Sequence, residues 1–352
     1  MKKICVLLAV LMLMTVLSGC EGQQQAATDG GERIGVIGGP DRADQEYVWI
    51  SQYSYLSLFV ERVHPALEQF AADYGVNVRI AGPTAIDLAA FVATVEQEAA
   101  RKPAGIIVVG GWDPALSEPV SNAVASGVPV VITDGDMPLS NRLCYVGTDW
   151  FILGEKMAHA QIREHQARGL DSGKIAIIMP LVMENMQLAR DGIEGIFEGT
   201  GYEIVAVEEN DSSPEVAAQK TAALLASHRD LTGMIGLDSE SGPGIVTALD
   251  EAGRSGEGGI IVTVNEHGRE FLDNVKNGKV QFLLMERYDV MNYLALQLLY
   301  NWHNNVIATG DMDPWQNNWM PWSIDSGLLE VTSENVDEVI SWLLEVEARN
   351  AD

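Results

Sequence analysis

The strongest constraint on the fold is an alternation. From residue 47 onward, short β-branched runs take turns with longer amphipathic runs. Candidate strands are Tyr47–Ser51, Val76–Ala81, Gly105–Val109, Val128–Thr133 and Leu143–Val146. A second series is Lys174–Met179, Tyr202–Glu208, Gly233–Leu237, Ile260–Val264 and Val280–Leu284. Helical spacing lies between them, as in Ala66, Leu67, Phe70, Ala71 and Tyr74 behind Pro65, whose missing N–H costs nothing in a first turn. This alternation predicts βαβ units and parallel sheets. Runs such as Ile106-Ile107-Val108-Val109 carry no polar alternation, so the sheets should be covered on both faces. The two equal series predict two α/β domains with a break near 148–151. Arg33–Gly38 also reads as a strand, but Tyr47–Ser51 leaves a normal distance to the helix beginning near His64.

The 352 residues suffice for two domains, and 47% hydrophobic content supplies two cores. The charge excludes partners. Fifty acidic residues face 22 basic ones, a net charge of −28, and no Lys/Arg cluster offers the basic face a nucleic acid needs. An anionic membrane would repel the folded part as well.

The N-terminus reads as an address. Met1-Lys2-Lys3 precedes an apolar run from Ile4 to Val16, a signal-peptide length too short to span a bilayer comfortably. Leu17-Ser18-Gly19-Cys20 resembles the bacterial lipobox, which implies a signal peptide at 1–19 and lipidation of Cys20; an anchor helix with an incidental Cys is the alternative. Removal of Lys2 and Lys3 takes the basic count from 22 to 20 against 50 acidic residues, so the charge falls from −28 to −30. Residues 20–32 are polar and read as a tether. Cys144 is then left without a disulfide partner and reads as a buried thiol.

In this order along the chain, several segments carry a resemblance. They are Val128-Pro-Val-Val-Ile-Thr-Asp134-Gly-Asp136, Tyr145-Val-Gly-Thr-Asp149 with Gly154, and Gly236-Leu-Asp238-Ser-Glu-Ser-Gly242-Pro-Gly244. Val262-Thr-Val-Asn265, Asn277-Gly-Lys-Val280, Ile324-Asp325-Ser-Gly327 and Val331-Thr-Ser-Glu-Asn335-Val-Asp337 continue the series. Together they resemble the sugar-binding proteins of ABC importers, of the ribose-binding kind. The resemblance implies two Rossmann-like lobes, parallel sheets flanked by helices, joined by a three-strand hinge as in type I periplasmic binding proteins. It places 33–148 and about 287–310 in one lobe, and 149–286 and about 319–352 in the other. It implies a ligand held between lobes and a monomer that meets ABC permease subunits in the cell envelope, tied to the membrane only through its lipid.

Ligands of open α/β sheets bind beyond the carboxyl ends of strands, so the post-strand loops supply the candidates. A polyol needs carboxylates and amides for its hydroxyls and flat rings for its C–H faces. Gln52 and Tyr53 follow the first strand, and Trp112 the third. Asp134 and Asp136 follow the fourth, where turn chemistry is the alternative for Asp136. Trp150 stands at the first crossing. Asp238 follows the eighth strand, with helix capping as its alternative; Asn265 ends the ninth. Glu286 lies where the family has a hinge Gln, or else pairs with Arg287 on the surface. After the sixth strand the family has an Arg where this chain has Ala189, with Arg190 displaced by about 100° on a helix. Either Arg190 still reaches the cleft or Asn185 and Gln187 carry the polar contacts. Trp315, Trp319 and Trp322 are expected to pin the third crossing.

No Gly-x-Ser-x-Gly elbow, Walker loop or zinc signature is present, and His159 and His165 read as surface residues at the wrong offset for a shared metal. The chain is therefore expected to bind a sugar or sugar-like polyol without cofactor, metal or catalysis. A sensor presenting the bound molecule to a chemoreceptor or kinase is the alternative role.

Overall fold

The computed structural model describes residues 42–351 apart from 112, 266–267, 308–312 and 314. The expected signal segment at 1–19, Cys20, Arg33–Gly38 and Trp112 lie outside the described residues. Among the described residues, twelve strands form two six-stranded sheets. The first holds β1 (Glu46–Ile50), β2 (Asn77–Ala81), β3 (Gly105–Val109), β4 (Val130–Asp134), β5 (Cys144–Gly147) and β11 (Ser323–Asp325) in the order β11-β5-β4-β3-β1-β2. The second holds β6 (Gly173–Met179), β7 (Tyr202–Glu209), β8 (Gly233–Leu237), β9 (Ile261–Asn265), β10 (Phe282–Glu286) and β12 (Leu328–Val331) in the order β12-β10-β9-β8-β6-β7. All pairings are parallel except β10 with β12.

The helices are α1 (Ser57–Arg62), α2 (His64–Tyr74), α3 (Leu88–Ala100), α4 (Asp113–Ala125), α5 (Trp150–Ala167), α6 (Glu184–Phe197), α7 (Pro214–Ser227), α8 (Ser241–Glu251), α9 (Leu272–Lys276), α10 (Tyr288–His303) and α11 (Val336–Ala351). Their starts follow local chemistry. Asp87, Asp149 and Ser213 accept backbone N–H groups at the heads of α3, α5 and α7. Pro65 occupies the first turn of α2 as expected.

The inner strands β3, β4, β8, β9 and β10 are buried at every position. This is what unalternating apolar runs require when helices cover both faces. On the first sheet, Val48, Ile106, Val108, Val130 and Ile132 pack with Phe91, Val95 and Leu116 from α3 and α4. The opposite face takes α10, where Asn292 accepts the Trp49 indole N–H at 2.8 Å. On the second sheet, Ile178, Met234, Val262 and Leu283 pack with Ile245, Leu272, Val336 and Leu343. The exposed edge strand β2 is charged: Arg79 pairs with Glu46 and Glu98.

Two readings are corrected here. His165 is fully buried, between the Gln161 carbonyl at 2.8 Å and the Thr232 hydroxyl at 2.9 Å. It shares the sheet-facing stripe of α5 with Leu153, Met157 and Gln161, whereas His159 is exposed. The third crossing is not at the tryptophans. Trp315 and Trp319 pack on Trp302 of α10, with ring centroids 5.1 and 6.1 Å away. Ser323–Asp325 pair with β5 in the first sheet, so 319–325 do not belong with the second, and the chain crosses at Ser326–Gly327. The other crossings fall between β5 and α5 and between β10 and α10.

Helices α5 and α6 touch through their backbones. A Cβ on Gly154 would lie 1.8 Å from the Ala189 carbonyl oxygen, while Gly195, on the outer face of α6, has open space. Gly154→Ala should therefore destabilise the protein by about 1–3 kcal/mol. Gly195→Ala should stabilise it by up to ~1 kcal/mol. Urea denaturation of the two variants checks the opposite signs.

Candidate functional site

Each sheet runs in the doubly wound order, so its strand order reverses beside β1 in one lobe and β6 in the other. The loops leaving those strands face each other across a cleft. Tyr53, Leu56, Phe59 and Asp134 from the first lobe, with Met183, Met186, Ser212, Asp238, Ser239 and Glu240 from the second, enclose a cavity of about 40 Å³. That volume holds a few waters, well under the ~300 Å³ of typical ligand pockets, so entry of a ligand requires the lobes to part. At the mouth, Glu61 of α1 accepts the Arg269 backbone N–H at 2.9 Å across the gap.

Asp134 is the best-anchored rim residue. It has φ +73, a left-handed conformation that Asp tolerates better than most side chains. Its carbonyl oxygen receives the Tyr145 hydroxyl at 2.5 Å and the Trp150 indole N–H at 3.0 Å. The Tyr288 hydroxyl donates to its carboxylate at 3.3 Å. Close approach of the post-β3 and post-β4 loops is possible only because both carry glycine: a Cβ on Gly110 would lie 1.7 Å from the Gly135 oxygen. Burial, then the nearby Glu286 carboxylate, push the Asp134 carboxyl well above the usual range.

Opposite, Asp238 holds both oxygens toward Asn210 Nδ2, at 2.9 and 3.0 Å, and accepts the Ser241 backbone N–H at 2.8 Å. It thus fixes the head of α8 while lining the cavity. Burial raises its carboxyl above the ordinary value. Asn265 ends β9 fully buried, and among the described residues neither its amide N–H nor its carbonyl has a partner. Gln52 is equally buried, with its amide N–H toward the Tyr53 hydroxyl at 3.3 Å and its carbonyl unpartnered.

Residues 48–304 match the family described as a periplasmic binding protein domain. The chain belongs to the periplasmic binding protein family. Its two parallel sheets joined by three crossings are the type I form of that fold, and members bind their ligands rather than transform them. Among solved structures it is similar to AraP, an arabinose-binding protein from Geobacillus stearothermophilus, at 26% identity and TM-score 0.71, over 84% of this chain and 99% of that one. A sugar-binding protein of a sugar ABC transporter from Bacillus halodurans shares 23% identity, TM-score 0.74, over 84% and 99%. A solute-binding protein from Burkholderia graminis in complex with D-arabinose shares 22% identity, TM-score 0.74, over 84% and 97%. Comparison with curated proteins gives no significant match.

Within this binding-protein frame the expected residues divide. Gln52, Tyr53, Asp134, Asp238, Asn265 and Glu286 are all buried at the strand ends around the cleft. Glu286 does not pair with Arg287, which turns to Asp289 at 2.8 Å. Four expectations change. Asp136 is held by Arg142 in a two-point pair at 2.5 and 2.7 Å, so an ion pair, which neither the ligand reading nor the turn reading foresaw, engages its carboxylate. Arg190 pairs with Glu194 along its own helix at 3.0 Å, away from the cavity, because its displacement puts it on the outer side of α6. Gln187 donates to the Leu181 carbonyl at 2.5 Å, closing the loop before α6. Trp150 holds the Asp134 carbonyl instead of offering a ring to the cavity. Asn185 is buried against Gly111 of the post-β3 loop and lines a different space, described below.

Met183, Met186, Phe59 and Asn210 escaped sequence reasoning. Asn210 directly follows a strand, so the post-strand rule applied to β7 would have found it. The methionines carry no polar signal.

The Asp134 carboxyl sets a pH dependence. Its folded-state value is raised, so its contribution to stability is present below the ordinary carboxylate value of ~3.9 and is lost as pH rises through the raised one. Asp134→Asn keeps the shape and the left-handed backbone but removes this loss. The variant should melt at a higher temperature than the parent at pH 8, the difference shrinking to nothing near pH 4. Thermal denaturation without ligand across that range checks it.

Proposed function

We propose that this protein captures a neutral sugar of monosaccharide size in the interlobe cleft and delivers it to an ABC permease. It does so outside the cytoplasm, held to the membrane by a lipid on Cys20. The observation that carries the reading is the buried, unpartnered amide of Asn265, at the strand end beside that of Asp238, together with the unpartnered carbonyl of Gln52 after β1. Buried polar groups without partners cost about 1–3 kcal/mol each, and a hydroxyl-rich guest supplies partners to all of them. Among the described residues no Lys or Arg lines the cavity, so these offer an anion such as a sugar phosphate no cation. Met183, Met186, Leu56 and Phe59 provide apolar surface for C–H faces. Arabinose, the sugar that the neighbours' names give, is likewise uncharged.

A pentose or hexose should raise the melting temperature of the purified protein. Asn265→Leu should weaken binding of that sugar on the order of 10- to 100-fold, since the sugar hydroxyls lose a buried partner. Titration calorimetry measures it. A panel of monosaccharides that leaves the melting temperature unmoved, or equal affinity in the variant, would overturn the assignment.

A further inference from the structure

Beside the sugar cleft, on the far side of the Asp134–Trp150 hydrogen bond, lies a separate groove of about 440 Å³. Both lobes wall it. Trp322 and Asp325 come from the first, and Trp150, Glu184 and Asn185 from the second, with Thr148 at the crossing between them. Its volume falls within the range of small-molecule sites, unlike the neighbouring cavity.

Two side chains point to an occupant. Asn185 and Thr148 are each 3% exposed and line the groove, and among the described residues neither the Asn185 amide nor the Thr148 hydroxyl has a hydrogen-bond partner. Neither is needed for capping or for a turn. The groove's charges are one-sided. Asp149, Glu184 and Asp325 line it. The neighbouring cation, Arg142, is already spent: it grips Asp136 at two points and stacks under the Trp322 ring at 3.9 Å. That stacking partners an indole that is still largely exposed at the groove's edge. Among the described residues, no Lys or Arg lines the groove to meet an anion. A ligand with N–H donors finds carboxylates, the Thr148 oxygen and the Asn185 carbonyl.

We infer that this groove is a second ligand site, built for a small molecule bearing a primary ammonium group and gripped across the two lobes. The shared chemistry is R–NH₃⁺; its source is an aliphatic diamine or an amino sugar. Because both lobes contribute walls, occupancy favours their closed arrangement. By linkage it tightens sugar binding by the same factor as sugar tightens it.

The test uses the full-length protein and titrates putrescine and glucosamine separately by calorimetry and by tryptophan fluorescence, with choline as a cation lacking N–H donors. One of the two amines should bind saturably, choline at least tenfold more weakly, and binding should fall with added salt. Which amine binds decides the source. Thr148→Val and Asp325→Asn should each weaken the amine at least tenfold, leaving the thermal transition in place. Asp238→Asn, in the other cavity, should leave amine binding intact. No saturable binding of either amine up to millimolar concentration overturns the proposal. So does equal binding in the Thr148 and Asp325 variants, or loss only in the Asp238 variant, which would move the ammonium to the sugar cleft.

Discussion

One backbone oxygen ties the cleft to the hinge. The Asp134 carbonyl is held by Tyr145, in the strand before the first crossing, and by Trp150, just after it. The Asp134 carboxylate is held by Tyr288, just after the second crossing. Buried hydrogen bonds of this kind contribute about 0.5–1.5 kcal/mol when made and cost more when broken. The left-handed backbone at Asp134 persists because these three groups over-determine it. One cavity-lining residue is thus bonded to the chain on both sides of the first crossing and just after the second.

The lobes themselves were written plainly in the chain. Ten apolar runs became ten strands, because a strand covered on both faces has no polar alternation to confuse the pattern. The two further strands, β11 and β12, span three and four residues and carry too little periodicity to stand out. Missing them misplaced the third crossing. In the cleft, post-strand position led to Asp134, Asp238 and Asn265, which the topology sets, buried, at the ends of β4, β8 and β9. It failed for side chains whose direction depends on helix phase or on a nearby partner. Arg190 turned to Glu194 one helical turn away, and Asp136 to Arg142. His165 looked polar and therefore exposed, yet a carbonyl and a hydroxyl satisfy it inside α5's packing.

The acidic balance of the chain is mirrored at its sites. Carboxylates line the interlobe cavity and the adjoining groove, and the guanidinium groups of Arg142, Arg190 and Arg287 are committed to Asp136, Glu194 and Asp289. Buried carboxyls such as Asp134 and Asp238 are costly charges to hold. A site that keeps them without a resident cation is shaped for donors.

The link Ser326–Gly327 joins strands of different sheets with only two residues. On one side Asp325 pairs with Gly147, and on the other Leu328 pairs with Glu286. Ser326 also donates to the Gly147 carbonyl from its backbone at 2.8 Å. The three crossings are thus laced into one narrow ribbon, and Gly327, at φ +83, gives that ribbon its torsional freedom. Such a ribbon permits twist about a single axis and resists sliding. Relative motion of the lobes about such a ribbon is then described by one coordinate, an angle.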